Sequence, residues 1–140
     1  MAAPTELGLT AVKRIGRYLN DRRRLVYHYP FQSAYTLQVY SDTDWAGCAK
    51  TRKSTSGGCV MLGAHCLKSW WSTQPSVSLS SGEAEFYGLA KSAGVGLGFK
   101  ALFQDFGYDL DVTAWTDSSA AMGVVGRQGL GRLRHLDTHS

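Results

Sequence analysis

Apolar residues recur at helical spacing over residues 9–19, where Val12, Ile15, Tyr18 and Leu19 share one face and Lys13, Arg14 and Arg17 take the other. An amphipathic helix is predicted there, broken by the polar, basic run Asn20-Asp21-Arg22-Arg23-Arg24. Residues 25–29 (LVYHY) then read as a short strand stopped by Pro30. The stretch up to residue 33 is either a tether to something upstream or a solvated helix with a charged end. From residue 35 the period changes to two: Tyr35, Leu37 and Val39 alternate with Thr36, Gln38 and Tyr40, and the run ends on Asp42. Residues 56–62 and 65–73 are two further strands, and Gly63-Ala64 between them has the length of a tight hairpin loop. Three antiparallel strands in a meander follow, with a long loop over 46–55 that carries Lys50, Arg52 and Lys53.

Ser80-Ser81-Gly82-Glu83 fits a capping box, in which the Ser hydroxyl accepts from the Glu amide and the Glu side chain reaches back. The helix it opens continues through Ala84, Tyr87, Ala90, Ala93, Leu97 and Ala101 to about Phe106, with Gly107 as its stop. Gly88, Gly94, Gly96 and Gly98 each cost such a helix about 1 kcal/mol relative to Ala, so close packing on a sheet is the expected reason for them. Residues 112–117 (VTAWTD) form a strand that again ends in an Asp, Ser118 caps a small-residue helix to about Val125, and residues 126–134 are a Gly/Arg loop followed by one short helical beginning. Trp70, Trp71 and Trp115 lie inside strands and are expected in the core, and His65 on a strand surface or in the core.

The composition is that of one compact domain: 140 residues, 44% hydrophobic and 19% charged. A formal net charge of +4 gives weak attraction to polyanions without proving a nucleic-acid partner. No stretch is long and apolar enough to cross a bilayer, and the N-terminus lacks the apolar core and cleavage site of a secretory signal, which disfavours membrane and secreted classes. The three cysteines, Cys48, Cys59 and Cys66, contain no C-x-x-C and read as ordinary thiols of a reducing compartment. Gly94-Val95-Gly96-Leu97-Gly98-Phe99 lacks the third glycine of a dinucleotide fingerprint, so no small-molecule cofactor is expected.

The candidate chemistry is carboxylate. If the first and fourth strands are parallel neighbours, as a crossover through the long helix requires, Asp42 and Asp117 lie side by side and Glu85 closes the cluster from the helix. Clustered carboxylates repel and usually hold divalent cations, and all-oxygen ligands suit Mg²⁺ or Mn²⁺. Two such ions about 3.5–4 Å apart can activate a water and stabilise a leaving oxygen in phosphodiester cleavage. Asp44 competes with Asp42, and Glu83 with Glu85; intact alternation up to Asp42 favours the former, and the capping task of Glu83 leaves Glu85 free.

Five segments occur in order: Tyr40-Ser41-Asp42-Thr43-Asp44-Trp45-Ala46-Gly47, Arg52-Lys53-Ser54-Thr55-Ser56-Gly57, Ser69-Trp70-Trp71-Ser72 with Gln74-Pro75, Leu79-Ser80-Ser81-Gly82-Glu83-Ala84-Glu85-Phe86 and Trp115-Thr116-Asp117-Ser118-Ser119-Ala120. Together they resemble the ribonuclease H domain of copia-type LTR retrotransposon pol polyproteins, over roughly residues 9–139. The resemblance implies an α/β, ribonuclease H-like fold, with a mixed sheet of a three-stranded antiparallel meander plus a parallel strand and helices packed on it. It implies residues 1–33 as a linker from an upstream reverse transcriptase and 34–140 as the domain, lacking the last strand and helix and the fourth acid they carry. The implied activity is endonucleolytic cutting of the RNA strand of RNA/DNA hybrids during reverse transcription, with two Mg²⁺ or Mn²⁺ ions on Asp42, Glu85 and Asp117. The implied setting is intracellular, a cytoplasmic retrotransposon particle or the nucleus.

Arg52, Lys53, Ser54, Thr55, Gln74 and Ser119 are the expected substrate contacts, because hybrids are recognised through phosphates, shape and the 2′-hydroxyl. Asp137 does not match the fourth acid, and His135 and Asp137 are expected to orient a loop or touch substrate. Cys48 stands where the family often has an acid. The missing strand exposes a sheet edge, so marginal stability is expected. The alternatives are a catalytically inactive module of the same fold that only binds nucleic acid or serves as a scaffold, and an unrelated basic nucleic-acid-binding domain.

Overall fold

The computed structural model describes residues 5–20, 22, 24 and 26–127, and the chain divides into two compact units, Met1–Phe31 and Gln32–Ser140. In the first, helix α1 (Glu6–Asn20) is amphipathic as the spacing requires, yet none of its residues is buried, and Val12, Ile15 and Leu19 are all exposed. The strand predicted over 25–29 is absent from the described residues, 26–31 having no regular secondary structure. Aromatic and β-branched residues favour a strand only where a neighbouring edge accepts their backbone groups, and this segment has none in a ladder.

The second unit is an α/β arrangement of strands β1 (Thr36–Asp44), β2 (Thr55–Leu62), β3 (His65–Thr73), helix α2 (Ser81–Asp105), strand β4 (Asp111–Trp115) and helix α3 (Ser119–Val125). One mixed sheet has the order β3-β2-β1-β4, with β1–β2 and β2–β3 antiparallel and β1–β4 parallel. This is the predicted meander plus parallel strand, and it is consistent with a ribonuclease H-like fold. The hairpin turn uses Gly63 at φ 55°, and the Gln32 side chain bridges it, accepting from Ala64 N at 3.0 Å and donating to Leu62 O.

Alternation along β1 assigns the two faces of the sheet. Leu37, Val39, Ser41 and Thr43 are buried towards α2, while Gln38, Tyr40, Asp42 and Asp44 point the other way. Leu37, Val39, Val60 and Leu110 form the fully apolar core, with Trp70, Val95, Phe99 and Val112 packed against it. Burying side chains of this size contributes about 1.5–3 kcal/mol each.

Helix α2 starts as predicted, Glu83 N donating to Ser80 Oγ at 3.2 Å. The return bond of the box goes one residue further back than usual, Glu83 Oε2 accepting from Leu79 N at 2.8 Å. It ends on a Schellman pair: Tyr108 N donates to Phe103 O and Gly107 N to Gln104 O, both at 2.9 Å, with Gly107 at φ 84°.

Of Gly88, Gly94, Gly96 and Gly98, only Gly88 and Gly96 face the sheet. A Cβ on Gly88 would run into Thr43 Oγ1, and one on Gly96 would meet Val39 Cγ2 at 2.7 Å and Val112 Cγ1 at 2.9 Å. Gly94 and Gly98 face open space, which corrects the expectation for them: they lie off the Gly88/Gly96 face. The short helical beginning and the Arg134, His135 and Asp137 readings fall outside the described residues. Gly88→Ala and Gly96→Ala are each expected to destabilise by about 1–3 kcal/mol through overpacking. Gly94→Ala and Gly98→Ala should stabilise by about 0.5–1 kcal/mol, and urea denaturation separates the two pairs by sign.

Candidate metal centre

The parallel register Tyr40↔Trp115 carries two residues further to set Asp42 beside Asp117, just past the end of the ladder. Glu85 comes from the opening turn of α2, and α2 is held against the sheet there by contacts that need small residues. Ala84 is fully buried, and a Cβ on Gly82 would come within 2.8 Å of Ala120 Cβ, so α3, which begins two residues after Asp117, closes on the start of α2.

The outcome is a compact triad: ligand oxygens of Asp42, Glu85 and Asp117 all lie within 4.8 Å of one another, with both aspartates exposed and the glutamate half-buried. Burial pushes the Glu85 carboxyl above its ordinary range, and the charges of Asp42 and then Asp117 push it further, against a bond from the Thr43 backbone N–H. Its Oε2 is shut off from solvent with no hydrogen-bond partner. A buried acceptor without a donor, inside a group of three acids, is a site short of positive charge. The all-carboxylate donor set fits a hard divalent cation such as Mg²⁺ or Mn²⁺.

The rival acids have local tasks. Asp44 folds over Gly47, where any Cβ would overlap its carboxylate, and Glu83 serves the α2 cap. Beside the triad, Tyr40, Ser41, Asp42, Trp115, Thr116 and Asp117 line an open depression of about 310 Å³. The Tyr40 and Trp115 rings stack there with centroids 6.4 Å apart. These two aromatics were missed as site residues, although strand alternation already put Tyr40 on the face of Asp42.

Two expected substrate contacts turn out to be interior. Ser54 is fully buried and its Oγ accepts from Ala46 N at 3.0 Å, pinning the loop across which Cys48 N donates to Lys53 O at 3.3 Å. Gln74 is buried too: its Nε2 donates to Ser56 Oγ and to Ala84 O, both at 2.8 Å, and its Oε1 accepts from Ser78 Oγ at 3.0 Å. Buried side chains already bonded inside the protein position structure rather than touch substrate. The others remain accessible: Arg52 is exposed at φ 56°, Lys53 and Thr55 are half-buried, and Ser119 is exposed in the first turn of α3. Thr55 pairs with Asp44, one register step from Asp42. The tryptophans also divide, for Trp70 packs on the core whereas Trp71 is 80% and Trp115 50% exposed, contrary to expectation.

Among known proteins, the chain is 38% identical over 98 residues to an uncharacterized mitochondrial protein of Arabidopsis thaliana, covering 66% of this chain and 39% of that one. It is 40% identical over 94 residues to the retrovirus-related Pol polyprotein from transposon RE1 of Arabidopsis thaliana, 66% of this chain and 6% of the polyprotein. It is also 41% identical over 85 residues to a secreted RxLR effector protein of Plasmopara viticola, 59% of this chain and 58% of the effector. The chain thus spans less than two thirds of each of these relatives, and its similarity to Pol polyproteins supports a retroelement origin. No protein-family model and no solved structure matches it. No helix among the described residues is long and apolar enough to cross a membrane.

Because the folded chain binds the Glu85 proton more tightly than the unfolded chain does, this group favours folding at acid pH, and that contribution is lost as pH rises through its raised folded value. In EDTA at pH 7, Glu85→Gln is therefore expected to melt above the parent chain. Mg²⁺ or Mn²⁺ at roughly 100 times its Kd should stabilise the parent by about 2.7 kcal/mol and Glu85→Gln by far less, read as thermal shifts.

Proposed function

We propose that this chain is a ribonuclease H segment of a retrotransposon Pol polyprotein, a divalent-cation-dependent endonuclease that hydrolyses the RNA strand of RNA/DNA hybrids. The observation that carries this reading is the Asp42, Glu85 and Asp117 triad, whose oxygens converge within 4.8 Å from β1, α2 and the loop after β4 and include an unpartnered, buried Glu85 Oε2. Asp42, Glu85 and Asp117 would hold the cations, two Mg²⁺ or Mn²⁺ ions. Bound there, such ions supply Lewis-acid charge for attack of water on a phosphodiester and for departure of the ribose oxygen.

The rest of the work falls to the chain. Asp42 and Asp117, exposed at neighbouring strand ends, face the scissile phosphate, while half-buried Glu85 fixes the third side of the site from α2. Arg52 and Lys53 offer positive charge to backbone phosphates, and the Thr55 and Ser119 hydroxyls offer bonds to phosphate or ribose oxygens, the groups by which an A-like hybrid is read. Ser54 shapes the loop that presents Arg52 and Lys53, and Gln74 ties that side of the sheet to the start of α2. A reverse transcriptase region upstream in the same polyprotein is the proposed partner, with an intracellular particle or the nucleus as setting.

The test is cutting of an end-labelled RNA/DNA hybrid in Mg²⁺ and in Mn²⁺, beside Asp42→Asn. Cutting is expected to fall by roughly 10²-fold or more in the variant, the scale of losing one group that stabilises developing charge. Hybrid binding should hold or tighten, because a negative charge near the phosphates is gone. Binding by the parent chain with no cutting in either metal would instead support the non-catalytic module.

A further inference from the structure

Trp71 is on the edge strand β3, on the face of the sheet turned away from α2, and its indole is 80% exposed. Its neighbours Trp70 and Ser72 point the other way, Trp70 onto the core and Ser72 Oγ towards Lys91 Nζ of α2. The register places Trp71 opposite Gly57, and Gly57 opposite Asp42, so all three lie in one row across the sheet on the face that carries Asp42. Two strand spacings separate the Trp71 and Asp42 backbones, about 9–10 Å.

Gly57 between them has no structural need to be glycine. Its φ is not positive, and an added Cβ would meet nothing nearer than Trp70 O at 3.6 Å, an ordinary contact. This contrasts with Gly58, whose Cβ would strike Tyr40 O and the Trp70 ring. A glycine inside a strand costs stability, and with no bulge or steric need at Gly57 the remaining use of a bare backbone is close approach by another molecule. The row is thus a trough: a carboxylate on one side, a bare backbone floor, and an unpartnered flat ring on the other.

From this we infer that Gly57 and Trp71 form a nucleotide subsite of the proposed catalytic site, in which the indole packs face-on against a sugar of the bound hybrid. The inference rests on the reading of the triad as a phosphodiester-cutting site. With a rise of about 3.4 Å per nucleotide, the trough spans two or three nucleotides from the position held at Asp42. Paired bases of a duplex are stacked on each other, so the flat apolar surface that a hybrid offers an exposed ring is its sugar edge. The next row repeats the polarity, with Thr73 opposite Thr55 and Thr55 opposite Asp44, directly after the Arg52 and Lys53 loop. Hydroxyls therefore flank the ring, and the loop that carries Arg52 and Lys53 leads into that row, where a phosphate backbone would run.

The experiment measures hybrid affinity by fluorescence anisotropy in EDTA, then steady-state cutting in Mg²⁺ and Mn²⁺, on the full chain and on Trp71→Ala, Trp71→Phe and Gly57→Val. Trp71→Ala is expected to weaken binding about tenfold, the scale of one lost aromatic stack, and to raise KM with kcat unchanged. Trp71→Phe should recover most of the affinity. Gly57→Val should weaken binding too while melting at or above the parent chain, a combination that loss of structure would not give. Trp71→Ala binding within about twofold of the parent overturns the inference, and does so alone if the parent cuts the hybrid in an Asp42-dependent way. Trp71-dependent binding without cutting in either metal supports the subsite and overturns the catalytic reading. A parent chain that binds no hybrid overturns both.

Discussion

The close approach of α2 to the sheet is the constraint from which the candidate site follows. Ala84, Gly88, Ser92 and Gly96 recur every fourth residue and are all buried. Residues at that spacing share one helix face, so the line along which α2 comes nearest the sheet carries side chains no larger than a hydroxymethyl, with Val95, Phe99 and Phe103 packing on the core beside it. A helix resting on leucines would stand further from the sheet by the depth of those side chains. Glu85, one residue after Ala84, would then fall short of the strand ends that carry Asp42 and Asp117. The glycines weaken the helix as an isolated element, and the contact they permit is what brings the third acid within reach.

The interface changes character along its length. At one end Gly96 meets Val39 and Val112, above the apolar cluster of Leu37, Val39, Val60 and Leu110. At the other, Gly88 meets Thr43, Ser41 and Ser56, and Thr43 Oγ1 bonds Ser56 Oγ at 3.2 Å. Gln74 joins that network from the segment between β3 and α2, bonding both Ser56 and the Ala84 carbonyl. Polar groups buried in this way are tolerable only when satisfied, and most here are partnered inside the protein. Hydroxyls and an amide beneath a group of three carboxylates also soften the electrostatic penalty that hydrocarbon would impose. Ser41 Oγ and Ser92 Oγ are buried here without a partner, and the charged exception is Glu85, whose raised proton affinity and unpartnered Oε2 report the same deficit of positive charge.

Much of this was legible in the chain because the signals were periodic or chemically distinctive. Alternation in β1, the Ser80 cap, the Gly107 stop and the β-rich runs leading to Asp42 and Asp117 yielded the sheet order and the grouping of three acids, although β1 runs on to Asp44 and β4 stops at Trp115. What failed had a common physical root, namely that composition does not report tertiary partners. Residues 26–29 have strand propensity but pair in no ladder. Ser54 and Gln74 look like surface polar residues until their bonding partners, eight and ten residues away at Ala46 and Ala84, are seen. Gly94 and Gly98 are chemically identical to Gly88 and Gly96, and only the helix face that touches the sheet tells them apart.

The tryptophans show the same limit from the opposite side. Hydrophobicity argues that Trp70, Trp71 and Trp115 are interior, but adjacent residues of a strand point to opposite faces, so Trp70 and Trp71 cannot both enter one core. Which of them is inside depends on the register with β2, where Gly58 makes room for the Trp70 ring against Tyr40 O. Once Trp70 is committed to the α2 face, Trp71 is forced onto the face of Asp42, beside a glycine that leaves the strand bare. Packing on one side of the sheet therefore dictates what stands on the other. The small-residue contact that seats Trp70 and the contact that seats Glu85 act on opposite ends of the strand rows, and together they fix both the acids and the exposed ring about a single trough.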